Sequence, residues 1–161
     1  MMDSLNLQVI FLLHLVATSA MFGVIWLVQL VHYPMLIGLN QIEFHSWHEF
    51  HARRISFIVA PLMLFELGAS VLGVLGAGAG DARIASVILA SLTLGVWAST
   101  FAVSVPLHDQ LSKNGYNPKV LTRLVHTNWI RTLLYTCKLI LMIGMMIAMM
   151  FGAMPFGHVL K

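Results

Sequence analysis

The chain has 161 residues, 59% of them hydrophobic and only 9% charged, with a mean hydropathy of +0.87. Soluble domains carry about 25% charged residues, so this balance excludes an ordinary water-soluble domain and leaves room for one membrane-embedded domain. The formal charge of +3 is too small to signal nucleic-acid binding, and a single cysteine, Cys137, excludes an internal disulfide, cannot by itself supply a thiolate metal site, and reads as a small packing residue inside a helix.

The opening MMDSLNLQ lacks the basic start of a signal peptide and leads into an apolar run too long for one, so a retained first span is expected. A span needs about 20 mostly apolar residues. No Asp, Glu, Lys or Arg occurs between Asp3 and Glu43, which predicts a span over roughly 7–36. Arg54 to Asp81 holds one charge, Glu66, and predicts a second span over roughly 53–76. Arg83 to Asp109 holds none and predicts a third over roughly 84–106. Arg131 to Lys161 holds Lys138 and predicts a fourth over roughly 129–152. In lipid every backbone polar group must be satisfied within the segment. The expected fold is therefore all-α: an integral membrane four-helix up-down bundle forming one domain over residues 1–161.

The connections differ. GAGAGDA makes a tight turn between spans two and three. The other two connections carry the polar residues. Asn40 is positioned to cap a helix that starts before span two, and Asn117-Pro118 reads as a cap followed by Pro at the first helical position. Pro61 is expected to kink the second helix. No internal repeat is evident. Arg53, Arg54, Lys113, Lys119, Arg123 and Arg131 gather on one side and Arg83 and Lys161 on the other. The positive-inside rule then puts the first side in the cytoplasm and both termini outside the cell (inner) membrane.

Each span carries polar residues at helical spacing: His14, Thr18, Gln29 and His32; His48 and Glu66; Thr93, Trp97, Thr100, Ser104 and His108; Asn128, Arg131, Tyr135 and Lys138. Such stripes face a bundle interior rather than lipid. Ser and Thr positions read as interhelical hydrogen-bonding groups. Glu66 and Lys138 are costly in hydrocarbon unless paired or hydrated, which predicts either a buried ion pair or a proton relay. Arg131 suits an anionic contact or snorkelling at the boundary.

The densest chemistry is histidine. Six of the eight, His32, His45, His48, His51, His108 and His126, fall near helix ends that alternate direction so as to meet on one side. HSWHEFH places three at i, i+3 and i+6. Imidazole is the side chain best suited to bind a metal or move a proton near neutral pH. Three chemistries fit. A transition metal (iron, copper or zinc) could take three or four imidazoles from among His32, His48, His51, His108 and His126, with Glu49 or Asp109 supplying oxygen. Two histidines could hold a haem b. A metal-free centre could use a histidine as general base toward a lipophilic acid or phenol. His14 and His158 belong to the other side. Met142, Met145, Met146, Met149 and Met150 could suggest Cu(I) but read as packing. GVLGAGAG lacks the strand context of a phosphate loop.

VHYP ending span one, VPLHDQL after span three and NWIRT opening span four occur in order. Together they resemble the anthrone-oxygenase-like family of small four-span membrane proteins, with His108 standing where that family more often has Asn. The resemblance implies the four-span frame and carries the family's matching positions onto His32, His108, Asn128, Trp129 and Arg131.

The expected function is a membrane oxidoreductase or oxygenase acting on a lipophilic ring compound such as a quinone, phenol or polyketide. His32, His108, Arg131 and Tyr135 are the expected catalytic and orienting groups. The alternatives are a non-enzymatic metal, haem or pigment holder, a homo-oligomer or small subunit of a larger membrane complex, and a proton-coupled transporter using Glu66, Lys138 and His14.

Overall fold

The structure, a computed structural model of the chain, describes residues 4–151, so His158, Lys161 and the last residue of the expected fourth span lie outside the described residues. It is all-helical. Helix α1 (Ser4–Leu27) runs into a π-helical turn π1 (Val28–His32) and a short α2 (Tyr33–Ile37). Then come α3 (Gln41–Gly76), α4 (Asp81–Ser99), a second π turn π2 (Thr100–Ser104), α5 (Val105–Asn114) and α6 (Pro118–Met150). These merge into four rods, each 33–36 residues long and apolar enough to cross a bilayer. Rod one is 4–37, rod two is α3, rod three is 81–114 and rod four is α6. Short turns reverse the chain between them, and each rod packs on two neighbours: one on two and four, three on two and four.

Local chemistry sets the rod ends. Asn40 Oδ1 accepts from the Glu43 amide at 2.9 Å while Asn40 Nδ2 donates to Glu43 Oε2 at 3.0 Å, a reciprocal N-terminal cap. Asn117 Oδ1 accepts from the Lys119 and Val120 amides, and Pro118 opens α6 where a missing N–H costs nothing. Gly80 (φ 91°) and Gly115 (φ 72°) hold the turn positions that require positive φ.

Both π turns have an evident cause. Pro34 and Pro106 lack an N–H, and their rings crowd the carbonyls of Leu30 and Ala102 four residues back. The helix widens by one residue instead of breaking: the Tyr33 amide bonds to Val28 O and the Val105 amide to Thr100 O, each five residues back. Pro61, by contrast, sits inside the single helix α3, which continues on both sides of it. The two hairpins thus share one order of elements: helix, π turn, Pro, short helix, Asn cap, long helix. The sequence hides this repeat because the side chains differ.

The core is stacked in three layers along the bundle. Tyr33, Leu36, Phe44, Leu107, Leu111 and Leu124 fill the histidine end. Met21, Ile25, Met63, Val96 and Tyr135 fill the middle. Ala85, Leu89, Met142 and Met145 fill the far end, so these two methionines pack. Large apolar residues such as Val16, Leu64, Leu133 and Ile140 cover the outside. Cys137 also faces outward.

Candidate functional site

The π turns aim the site. An extra residue per turn rotates whatever follows by about 100°. On rod one this brings Tyr33, only 2% exposed, onto the inner face and leaves His32 half-buried beside it. On rod three it lets α5 present His108 to the same space. The α3 positions 48 and 51 lie one turn apart and supply two buried imidazoles. Rod four contributes Asn128, Arg131 and Tyr135 from one buried stripe.

These groups form a continuous hydrogen-bonded line. Asn128 Nδ2 donates to Gln29 Oε1 at 2.8 Å, and Arg131 Nη2 donates to Asn128 Oδ1. The same Arg131 nitrogen reaches Tyr33 Oη at 3.2 Å. Tyr33 Oη lies 3.1 Å from His108 Nε2, and His108 Nδ1 lies 2.9 Å from His48 Nε2. Guanidinium only donates, so the Tyr33 oxygen accepts from Arg131. Beyond it the tautomer of His108 sets the direction. In the tautomer that makes Tyr33 the donor, its hydrogen goes to His108 Nε2. Neutral His108 then carries its hydrogen on Nδ1 and donates to His48 Nε2. His48 keeps its hydrogen on Nδ1, a buried atom with no protein partner among the described residues. His51 stacks on His32 with ring centroids 3.5 Å apart and stands 6.4 Å from the His108 ring.

A turn further along, Glu66 is 1% and Lys138 0% exposed. Glu66 Oε1 accepts from Lys138 Nζ at 2.8 Å and Thr18 Oγ1 at 2.7 Å, while Oε2 accepts from Tyr135 Oη at 2.9 Å. The buried pair is therefore neutral overall and its carboxylate is fully engaged.

Between the two networks lies a cavity of about 520 Å³. Its polar lining includes Tyr33, His51, Trp97, Thr100, Ser104, His108, Arg131 and Tyr135; much of the remainder is apolar, with Met21, Ile25, Val59, Met63 and Val96 prominent. Lining residues from rods one and four are not exposed, whereas Ser56, Ala60 and Leu64 of rod two and Phe101, Val105 and Asp109 of rod three are. The mouth is therefore the seam between rods two and three. A smaller groove of about 200 Å³, lined by His32, Trp47, Phe50, His51 and Arg54, meets the cavity wall at His51.

Of the sequence-predicted site residues, the fold brings together His32, His48, His51, His108, Arg131 and Tyr135. His126 and His45 are exposed on α6 and α3 and stand apart from them. His14 is buried far along α1. Tyr33, central to the line, has no role assigned by the sequence; its place before Pro34, where a π turn re-registers the helix, is the signal that identifies it.

His48 and His108 are placed as hydrogen-bonded partners rather than as two ligands of one ion. His48 Nε2 and His108 Nδ1 face each other at 2.9 Å, while an ion between two imidazoles needs about 2.0–2.1 Å to each nitrogen. Among the described residues no group of three or more His, Cys, Asp or Glu side chains is arranged to hold a metal ion. The pair suits a shared hydrogen. No known protein family, curated protein or solved structure matches the chain.

Proposed function

We propose that this chain is an integral membrane four-helix protein that takes a lipophilic ring compound into its cavity and acts on it as an oxidoreductase- or oxygenase-like catalyst through metal-free proton transfer. The observation that carries this reading is the cavity itself: apolar over most of its wall, open sideways, and closed at one end by a single hydrogen-bonded line. Small-molecule sites combine a mainly apolar lining with a few convergent polar groups. The resemblance of VHYP, VPLHDQL and NWIRT to the anthrone-oxygenase-like family points the same way. The histidine end is assigned to the cytoplasm and both termini to the outside of the cell membrane, on the charge bias.

The line supports a relay. A ring hydroxyl at Tyr33 passes its proton to Tyr33 Oη as Tyr33 passes its own to His108 Nε2. His108 passes its Nδ1 hydrogen to His48 Nε2, which ends protonated on both nitrogens. Arg131 stays beside the ring oxyanion and offsets its charge. The electron-rich anion is the form that an electron acceptor such as dioxygen oxidises. Tyr135 and the Glu66–Lys138 pair fix the floor of the cavity.

The test uses the whole chain in lipid nanodiscs. Titration with 2-hydroxy-1,4-naphthoquinone and with 1-naphthol, read by tryptophan quenching, is expected to give saturable binding of both, and 1-naphthol is expected to support oxygen uptake that Tyr33→Phe lowers steeply. Absence of saturable binding by either compound sinks the reading. Binding without turnover favours a holder of such compounds, consistent with a line whose groups are already mutually hydrogen-bonded.

A further inference from the structure

Three polar atoms on cavity-lining residues are buried without a protein partner among the described residues: Trp97 Nε1, Thr100 Oγ1 and Arg131 Nε. Trp97 and Arg131 nitrogens can only donate. Thr100 belongs to π2, and its hydroxyl is not taken up by a backbone carbonyl of the preceding turn, as those of Thr93 and Thr132 are. At the floor of the cavity the polar groups are already committed to one another. Tyr135 gives its hydrogen to Glu66, and Glu66 is shared with Lys138 and Thr18. The one carboxylate among the lining residues, Asp109, lies at the exposed mouth and pairs with Lys113 at 2.7 Å.

From this we infer that the cavity selects ring compounds presenting acceptor oxygens, carbonyl or oxyanion, to Arg131 on rod four and to Trp97 and Thr100 on rod three. It discriminates against oxygen-free ring hydrocarbons and against cationic ring amines. An unmatched buried donor is costly, and a charge-assisted hydrogen bond to one is among the stronger contacts. The guanidinium is the unneutralised charge on the inner wall, so a ligand ammonium meets like charge without an inward carboxylate to balance it. The inference rests on the proposal that the cavity binds lipophilic rings, and it adds the polarity those rings must have.

The experiment compares matched probes on the full chain in nanodiscs, each corrected for partition into empty nanodiscs: naphthalene, 2-hydroxy-1,4-naphthoquinone, 1-naphthylmethylamine and laurate. The quinone is expected to bind about 10- to 100-fold more tightly than naphthalene, and the amine more weakly than either. Thr100→Val, which keeps shape and removes one donor, is expected to shrink the quinone-to-naphthalene ratio by about threefold to tenfold, and Trp97→Phe, which removes the indole N–H together with part of the apolar wall, is expected to lower affinity for the quinone more than for naphthalene. Equal affinities for quinone and naphthalene, or a ratio indifferent to both substitutions, overturn the inference while leaving ring binding intact. Laurate binding as tightly as the quinone overturns the ring assignment. If none of the four binds, the cavity reading itself has failed.

Discussion

His48 Nε2 and His108 Nδ1 lie 2.9 Å apart and join rod two to rod three at the end of the cavity. One must donate and the other accept, so the two rings share one hydrogen and act as a single unit. Tyr33 Oη on the far nitrogen of His108 extends that unit to rod one, and Arg131 extends it to rod four. All four rods thus contribute to one line, in which Arg131 donates both to Tyr33 and, on the other side, to Asn128.

Residues acting in series lose function together. Tyr33→Phe, His108→Ala and His48→Ala are each expected to lower turnover of a ring phenol by about 10²- to 10⁴-fold, the range of a lost general acid–base step. The His48→Ala/His108→Ala double variant is expected to be no worse than the more damaging single one. His126→Ala, on an exposed position, is expected to turn over at the parent rate. Steady-state oxygen uptake at saturating 1-naphthol reads all of these. Multiplying losses in the double variant show that the two imidazoles work independently.

Glu66 and Lys138 call for a stability experiment. Removing one member of a buried pair leaves an uncompensated charge, costing about 3–5 kcal/mol, whereas replacing both by uncharged groups of similar size is often neutral or stabilising. Lys138→Met and Glu66→Gln are each expected to lower the melting temperature in detergent sharply. The double variant is expected to recover most of it, because the amide introduced by Glu66→Gln can accept from one of the Thr18 and Tyr135 hydroxyls through its oxygen and donate to the other through its NH2. Equal melting temperatures for single and double variants indicate that the carboxylate is held mainly by the two hydroxyls.

The four long helices were legible because charge-free runs of this length have few other uses, and Asn40 and Asn117 announced the starts of α3 and α6. Depth was legible too: a histidine near a helix end lies near the end of the bundle. Azimuth was not. His126 and His45 sit at the right height and face outward. On rod one the regular 100° step carries the inner stripe from His14 to His32, but π1 adds a residue and hands the inner position to Tyr33. The prolines that cause the π turns are visible in the sequence. The helix's choice to widen rather than kink is a packing outcome, as the unbroken passage of α3 through Pro61 illustrates.

The proposed orientation makes a labelling prediction. Lys113 is well exposed at the histidine end, and Cys137 is the single native thiol. In a Cys137→Ser background, Lys113→Cys is expected to react with a membrane-impermeant maleimide in inverted vesicles and to stay unlabelled in intact cells. Labelling in intact cells reverses the topology, and with it the side toward which the relay delivers protons.

Pro106 is the most economical test of how the cavity is built. Proline inside a helix costs about 3 kcal/mol relative to alanine, and here it coincides with the widened turn Thr100–Ser104. Alanine at 106 restores an amide that can bond to the Ala102 carbonyl and lets the turn rewind to an ordinary α-helix. Rewinding by one residue turns Trp97 and Thr100 by about 100° relative to His108, so the two donors and the imidazole no longer share the cavity. Pro106→Ala is therefore expected to keep its helix content by circular dichroism and to melt at the same or a higher temperature. It is also expected to bind 2-hydroxy-1,4-naphthoquinone more than about tenfold less tightly, the effect of one or two lost hydrogen bonds. Stability gained at the expense of binding is the pattern of a turn kept for function. Unchanged affinity in a more stable variant shows instead that the cavity holds its shape without the π turn.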